Sequence, residues 1–263
     1  MNSSLMTRER SHHPSFAARR RILMNRGEPL FYAGWLRAVF IHYEADPEAL
    51  QREVPFELDL DDGRAYVSLV AFTMRDMRPR IGGRLAAWLL KPIATHEFLN
   101  VRTYVRHGDE TGIYFLAEWL SNPLSVLLGP VTFGLPYRFG RLRYHHAHET
   151  GDLHGTVFAP NKSSRLEYAA TLAPGAGFQP CAAGSREEFL MERYTAFTER
   201  NGARRFFRIW HPPWPQAPAQ IRMLDESLIA ANWPWFKSAK LIGGNFSPGV
   251  RRVWMGRPHH FPL

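Results

Sequence analysis

The sequence predicts an α+β domain that is mainly β, and three observations point there. The stretch from Thr95 to Leu120 alternates apolar and polar residues on both sides of a Gly-containing turn, and Asp61-Asp62-Gly63 sits between two further alternating arms. Helix signals are few and short. With 263 residues, 45% hydrophobic and 13% aromatic, the chain can bury one substantial core. No internal repeat or linker divides the body, so the expected organisation is a basic, flexible tail over residues 1–28 and a single domain over 29–263.

Taken in order, the tail carries Arg8, Arg10, Arg19, Arg20, Arg21 and Arg26 against Glu9, with room for a short helix around Phe16–Met24. Trp35–Glu44 reads as a strand. Asp46-Pro47 supplies an N-cap and a first-turn proline for a helix over Pro47–Arg52, which Pro55 stops. Glu57, Asp59 and Asp61 alternate along the first arm of the next hairpin; they could hold a cation, but one solvated strand face explains them more simply. Gly83–Leu90 is a possible helix beside Arg75, Arg78, Arg80 and Arg84, a lid or rim segment. On the strand that follows, Glu97 shares a face with Leu99, Val101 and Val105, whereas Phe98, Asn100, Arg102 and Tyr104 share the other. A carboxylate on an apolar face is costly unless paired or protonated, which makes Glu97 a candidate functional group.

A second helix is expected at Pro123–Leu128, capped by Ser121 or Asn122. Beyond it, His146 and His148 share a strand face and His154 lies across a turn, so three imidazoles could meet at a metal; a polar hairpin tip is the simpler account, and no metal is assigned. Two strands follow. Ser185 and Glu188 form a capping box for a helix that should run to Asn201-Gly202. The remaining segments read as a strand entering the Trp210–Pro215 turn, an ambiguous strand or helix from Ile221, and a last strand at Arg251–Met255.

Much familiar chemistry is excluded. There is no Walker loop, no dinucleotide Gly fingerprint, no HExxH and no Gly-x-Ser-x-Gly elbow. Cys181 is the single cysteine, so no internal disulfide forms, and as a lone loop thiol it would need a nearby histidine to react. The formal charge of +9 comes from 33 basic residues; a basic tail without a binding module does not make a nucleic-acid protein. With no secretory pattern and no apolar run approaching membrane-spanning length, the expectation is a cytoplasmic protein.

The segments HEFLNVRTYVR, GIYFLAEWL and FGLPYRFGRL, with the later WHPPWP, resemble the uncharacterised bacterial YqjF-like family over about Trp35 to Arg257. That family is similar in fold to acetoacetate decarboxylase. The resemblance implies a closed, mainly antiparallel β-barrel or cone around a central cavity. In the decarboxylase a Gly-aromatic-Pro-Lys-Lys segment supplies the imine-forming lysine and the neighbour that tunes it, with a glutamate about forty residues earlier. Here Gly134 and Pro136 keep that shape and Glu97 lies at a comparable distance upstream, but Tyr137 and Arg138 replace the lysines. Neither a guanidinium nor a phenol forms an imine, so the decarboxylase mechanism is unavailable.

The expected function is therefore non-covalent binding of a small organic or oxo acid, without a cofactor. Arg138 would hold the carboxylate, Tyr137 would donate to an oxo oxygen, and Glu97 would move a proton or pair with Arg138. Arg102 joins only if the strand turns it inward, and His211 is a further candidate among aromatics. The alternatives are an imine-independent lyase, isomerase or hydrolase using Glu97 and Tyr137, and an interaction protein with a basic tail.

Overall fold

The computed structural model describes residues 13–160 and 163–261. It holds β1 (Phe31–Ala45), β2 (Glu57–Leu58), β3 (Ala65–Pro79), β4 (His96–His107), β5 (Glu110–Leu120), β6 (Tyr137–Phe139) and β7 (Arg141–Ala147). Then come β8 (Asp152–Phe158), β9 (Arg165–Leu172), β10 (Thr195–Arg200), β11 (Ala203–Trp210), β12 (Ala217–Asp225), β13 (Lys240–Met255) and β14 (His259–His260). The helices are α1 (Pro14–Met24), α2 (Pro47–Gln51), α3 (Gly83–Leu89), α4 (Pro123–Thr132), α5 (Arg186–Met191) and α6 (Ser227–Asn232). None is long and apolar enough to cross a membrane.

Strands β11, β10, β5, β4, β3, β1 and β13 pair in that order, and β13 returns to β11 through Ile209 with Met255 and Trp210 with Trp254. The pairings thus form a ring. From β13 a branch continues through β12, β9, β8 and β7. Most pairings are antiparallel, whereas β5 runs parallel to both β10 and β6.

The branch explains why the ring strands are apolar on both faces. Val39, Ile41, Leu69, Leu99 and Val101 on the ring's outer face join Leu153, Val157 and Tyr168 of the branch in one core. Phe40, Val70, Phe72, Phe98 and Phe115 on the inner face form a second core with Phe207 and Trp214. Burying both faces of a strand removes the solvent side that would otherwise show which face is inside.

Local signals survive intact. Asp46 Oδ1 accepts from Ala49 N at 2.7 Å, Asn122 Oδ1 from Ser125 N at 3.1 Å, and Ser185 Oγ from Glu188 N at 3.1 Å. Longer-range expectations change. The helix after Ser185 stops at Met191, because Thr195–Arg200 is taken by pairing with β5 and β11; Asn201-Gly202 is a hairpin turn with both φ positive (52° and 77°), not a helix end. The arms around Asp61-Asp62-Gly63 diverge, since β2 pairs with β4. The sequence from Ile221 holds a strand and a helix in succession, and the strand expected at Arg251–Met255 is the end of the long β13, with β14 after it.

Residues 1–12 of the expected tail lie outside the described residues. The following residues are ordered: α1 buries Ala18 and Ile22 against Tyr194 and Trp210, and Trp210 Nε1 donates to Ser15 O at 3.0 Å. The short helix expected around Phe16–Met24 is present as α1, and its apolar stripe docks on β11.

Candidate functional site

Three neighbouring strands set one polar row inside the ring. Asn100 on β4 pairs with Glu118 on β5, and Glu118 pairs with Tyr137 on β6. Arg102 lies two residues along β4 from Asn100, on the same face. All four line a largely buried chamber of about 70 Å³, walled by Trp35, Phe40, Phe72, Phe115 and Trp214. That space exceeds what one water needs and suits a group of a few heavy atoms.

The chamber's polar atoms are unusually short of protein partners. Arg102 is 8% exposed; its Nη2 donates to Leu190 O at 2.9 Å, its Nε has no partner, and among the described residues it makes no ion pair. Glu118 Oε2 and Asn100 Oδ1 also lack partners. Buried polar groups are normally satisfied, so three orphans facing one small space point to a polar occupant. Burial pushes the Glu118 carboxyl well above the usual carboxylate range, and the opposing pull of Arg102 does not restore it. Burial, then the Glu118 charge, raises the Tyr137 phenol.

His211 closes one side. Its Nδ1–H donates to Pro212 O at 2.8 Å, and its ring packs on Tyr194 and Trp214 at 4.7 and 5.1 Å. Burial lowers its pKa to about 4, leaving a neutral imidazole at pH 7. Behind it Glu192 accepts from Tyr194 Oη and from Trp214 N at 2.8 Å; burial raises its carboxyl to about 7. Arg193 also lines the chamber, but it is neutralised by Asp59 at 2.6 Å.

The sequence candidates divide between two places. Tyr137, Arg102 and His211 reach the chamber; Glu97 and Arg138 do not. Glu97 falls on the other face of β4, in an open groove of about 640 Å³ with Arg37, Arg75, His148 and Arg251. The pleat requires this: if Asn100 and Arg102 face in, Glu97 faces out. Arg138 is corrected for the same reason, since it follows the inward Tyr137. It is exposed, bonds Asn232 Oδ1, and lies over the rings of Trp119 and Trp233 at 5.2 and 5.5 Å. Glu118 and Asn100 were missed. The available signal was Glu118 as the one charge inside the apolar run IYFLAEWL.

Other candidates stay apart. His145 stacks on its cross-strand partner His154 at 4.8 Å, while His146 is buried and bonded to Arg37 O and Tyr168 Oη. Among the described residues no group of three potential ligands gathers. Cys181 is buried, its thiol pushed up to about 12 chiefly by desolvation. Among the described residues no lysine lines the chamber: Lys91, Lys237 and Lys240 are exposed, and Lys162 lies outside the described residues.

Residues 32–243 match the DUF2071 family, described as an uncharacterized conserved protein, and the chain belongs to that family. The uncharacterized protein YqjF of Bacillus subtilis (strain 168) is 26% identical over 182 residues, 68% of this chain and 72% of that protein. Among solved structures, acetoacetate decarboxylase from Legionella pneumophila superposes with a TM-score of 0.60 at 14% identity, covering 88% of this chain and 87% of that one. The enduracididine biosynthesis enzyme MppR, in complex with the condensation product of pyruvate and imidazole 4-carboxaldehyde, gives 0.59 at 14% identity with 90% of each chain covered. At such identities the likeness is one of fold.

Proposed function

We propose that this DUF2071 protein binds a small organic or oxo acid in the central chamber without forming an imine. Arg102, not Arg138, is the cation that meets the carboxylate. One observation carries this reading: a buried guanidinium that makes no ion pair among the described residues lines a chamber that also holds two unpartnered oxygens. A buried uncompensated charge is expensive, and a bound carboxylate offsets that cost. Glu118, kept protonated by burial, can donate to an oxo oxygen beside Tyr137. The MppR complex with a pyruvate-derived product lends the fold precedent for an oxo-acid occupant.

The test is a titration with pyruvate and acetoacetate followed by the fluorescence of Trp35 and Trp214, with intact mass after borohydride. Saturable quenching without an adduct is expected, and Arg102→Met should weaken binding about 10- to 100-fold. A stable adduct, or binding untouched by Arg102→Met, overturns the reading.

A second reading is favoured by the pairing of Glu118 with Tyr137: an imine-free lyase, isomerase or hydrolase in which Glu118 is the general acid. It requires turnover. Consumption of an oxo acid followed by proton NMR, lost in Glu118→Gln while binding persists, would support it; binding with no consumption leaves a binding protein.

A further inference from the structure

The central chamber has a larger neighbour across a shared wall. Met74, Phe98, Tyr137 and Met255 line both the 70 Å³ chamber and an apolar space of about 380 Å³. That second chamber is bounded by Met77, Ile93, Leu128 and Phe133, and among the described residues no aspartate, glutamate, lysine or arginine lines it. Its one imidazole, His96, is buried against Phe98 at 4.7 Å, and desolvation lowers its pKa to about 4, so it adds no charge at pH 7. The volume lies in the range of small-molecule sites, whereas the polar chamber alone holds only a head group. Two methionines stand in the wall, and their unbranched side chains adapt readily to a passing chain.

The outer side of this apolar chamber is built from α4 and the turn that follows α3, through Ser125, Leu128, Thr132, Leu90 and Ile93. Helices α3 and α4 also expose Leu85, Trp88, Leu127 and Val131, each by 62–69%, an apolar surface of the kind found at interaction and ligand sites. A polar chamber and an apolar chamber thus stand side by side. Their order matches the two ends of an amphipathic molecule.

We propose that the ligand is a monocarboxylic acid, plain or 2-oxo, with an aliphatic chain: its head sits at Arg102 and its chain passes Tyr137 into the 380 Å³ chamber. This rests on the head-group reading above and extends it to the substrate class. Burial of each methylene then improves affinity about threefold to fourfold until the chamber is filled.

The test is calorimetric titration of the full chain with acetate, butyrate, hexanoate, octanoate and decanoate, each below its micellar concentration, beside the matching 2-oxo acids and alcohols. The expected result is a stepwise rise with length. Ser125→Phe and Thr132→Phe, each placing a ring in the outer chamber, should leave acetate and butyrate binding unchanged and lower octanoate binding at least tenfold. Two variants guard against one failing to fold, which thermal melting reports. Short acids that bind with no gain from length overturn the chain inference and leave the head-group reading standing. Alcohols that match the acids in affinity, with Arg102→Met having no effect, overturn the head-group reading while the chamber still takes a chain. No binding by any member of the series overturns both.

Discussion

The inner and outer faces of β4 carry similar residue types in opposite surroundings. Inside are Arg102 and, across the ladder, Glu118, in a largely buried chamber; outside are Glu97 and the nearby Arg37, Arg75 and Arg251, in an open groove. In the groove water screens each charge, and an added ion gains little. In the chamber the same groups are desolvated, so one guanidinium without a partner shapes what can bind there. Composition therefore says less about function than which side of the pleat a residue takes.

The largest expected effect breaks the comparison directly. Arg102→Met should cost the 10- to 100-fold in acid affinity argued above, whereas Arg138→Ala and Arg37→Ala should change it less than about twofold, since both side chains are exposed. Equal losses from all three would mean that the groove, not the chamber, holds the anion. The next effect concerns the wall. A Cβ on Gly129 of α4 would lie 2.2 Å from the Tyr137 ring, so Gly129→Ala must displace the phenol. Overpacking of this kind costs about 1–3 kcal/mol. A melting temperature unchanged by Gly129→Ala would show that Tyr137 is free to move and does not fix the boundary between the two chambers.

How much of this was legible in the sequence depends on range. Asp46, Asn122 and Ser185 were readable as caps because a cap involves residues two or three apart. The period of β4 was readable too, and it correctly separated Glu97 from Asn100 and Arg102. Which face was inside was not, because the β7–β9 branch covers the outer face as fully as the inner core fills the other. Glu97 stands out as a carboxylate on an apolar face and Arg138 by its place in a motif, whereas Asn100, Glu118 and Tyr137 meet only through pairing across three strands. The misjudged helix after Ser185 has the same origin, since Phe197 is helical in spacing but is claimed by a parallel pairing with Tyr114 more than eighty residues earlier.

A smaller effect follows from titration. Burial lowers His42 to about 3 and His96, His146 and His211 to about 4, from an ordinary 6.5. The unfolded chain therefore binds more protons than the folded one between pH 4 and 6.5, and stability rises with pH through that window. Glu118 and Glu192, with raised pKa, act in the opposite sense above 4.5. Four imidazoles outweigh two carboxyls, so the melting temperature should climb from pH 4.5 to 6.5 and then level or fall. A fall across that first interval would mean that the buried histidines are charged in the folded protein.

The smallest effect is the most discriminating between the two glutamates. Above pH 4.5 the unfolded chain ionises Glu118 while the folded chamber keeps it protonated, so folding becomes more costly as pH rises toward the folded value. Glu118→Gln removes that cost. The variant should match the wild type near pH 4.5 and exceed it increasingly as pH rises above that, as read by paired melts at each pH. Glu97→Gln should stay within about 0.5 kcal/mol of the wild type at every pH, as a group in the open groove should. If the two variants track each other, Glu118 is ionised in the folded chamber and Arg102 already has its counter-charge. The acid would then have no unpaired cation to meet, and the contrast between the two faces of β4 would lose its chemical meaning.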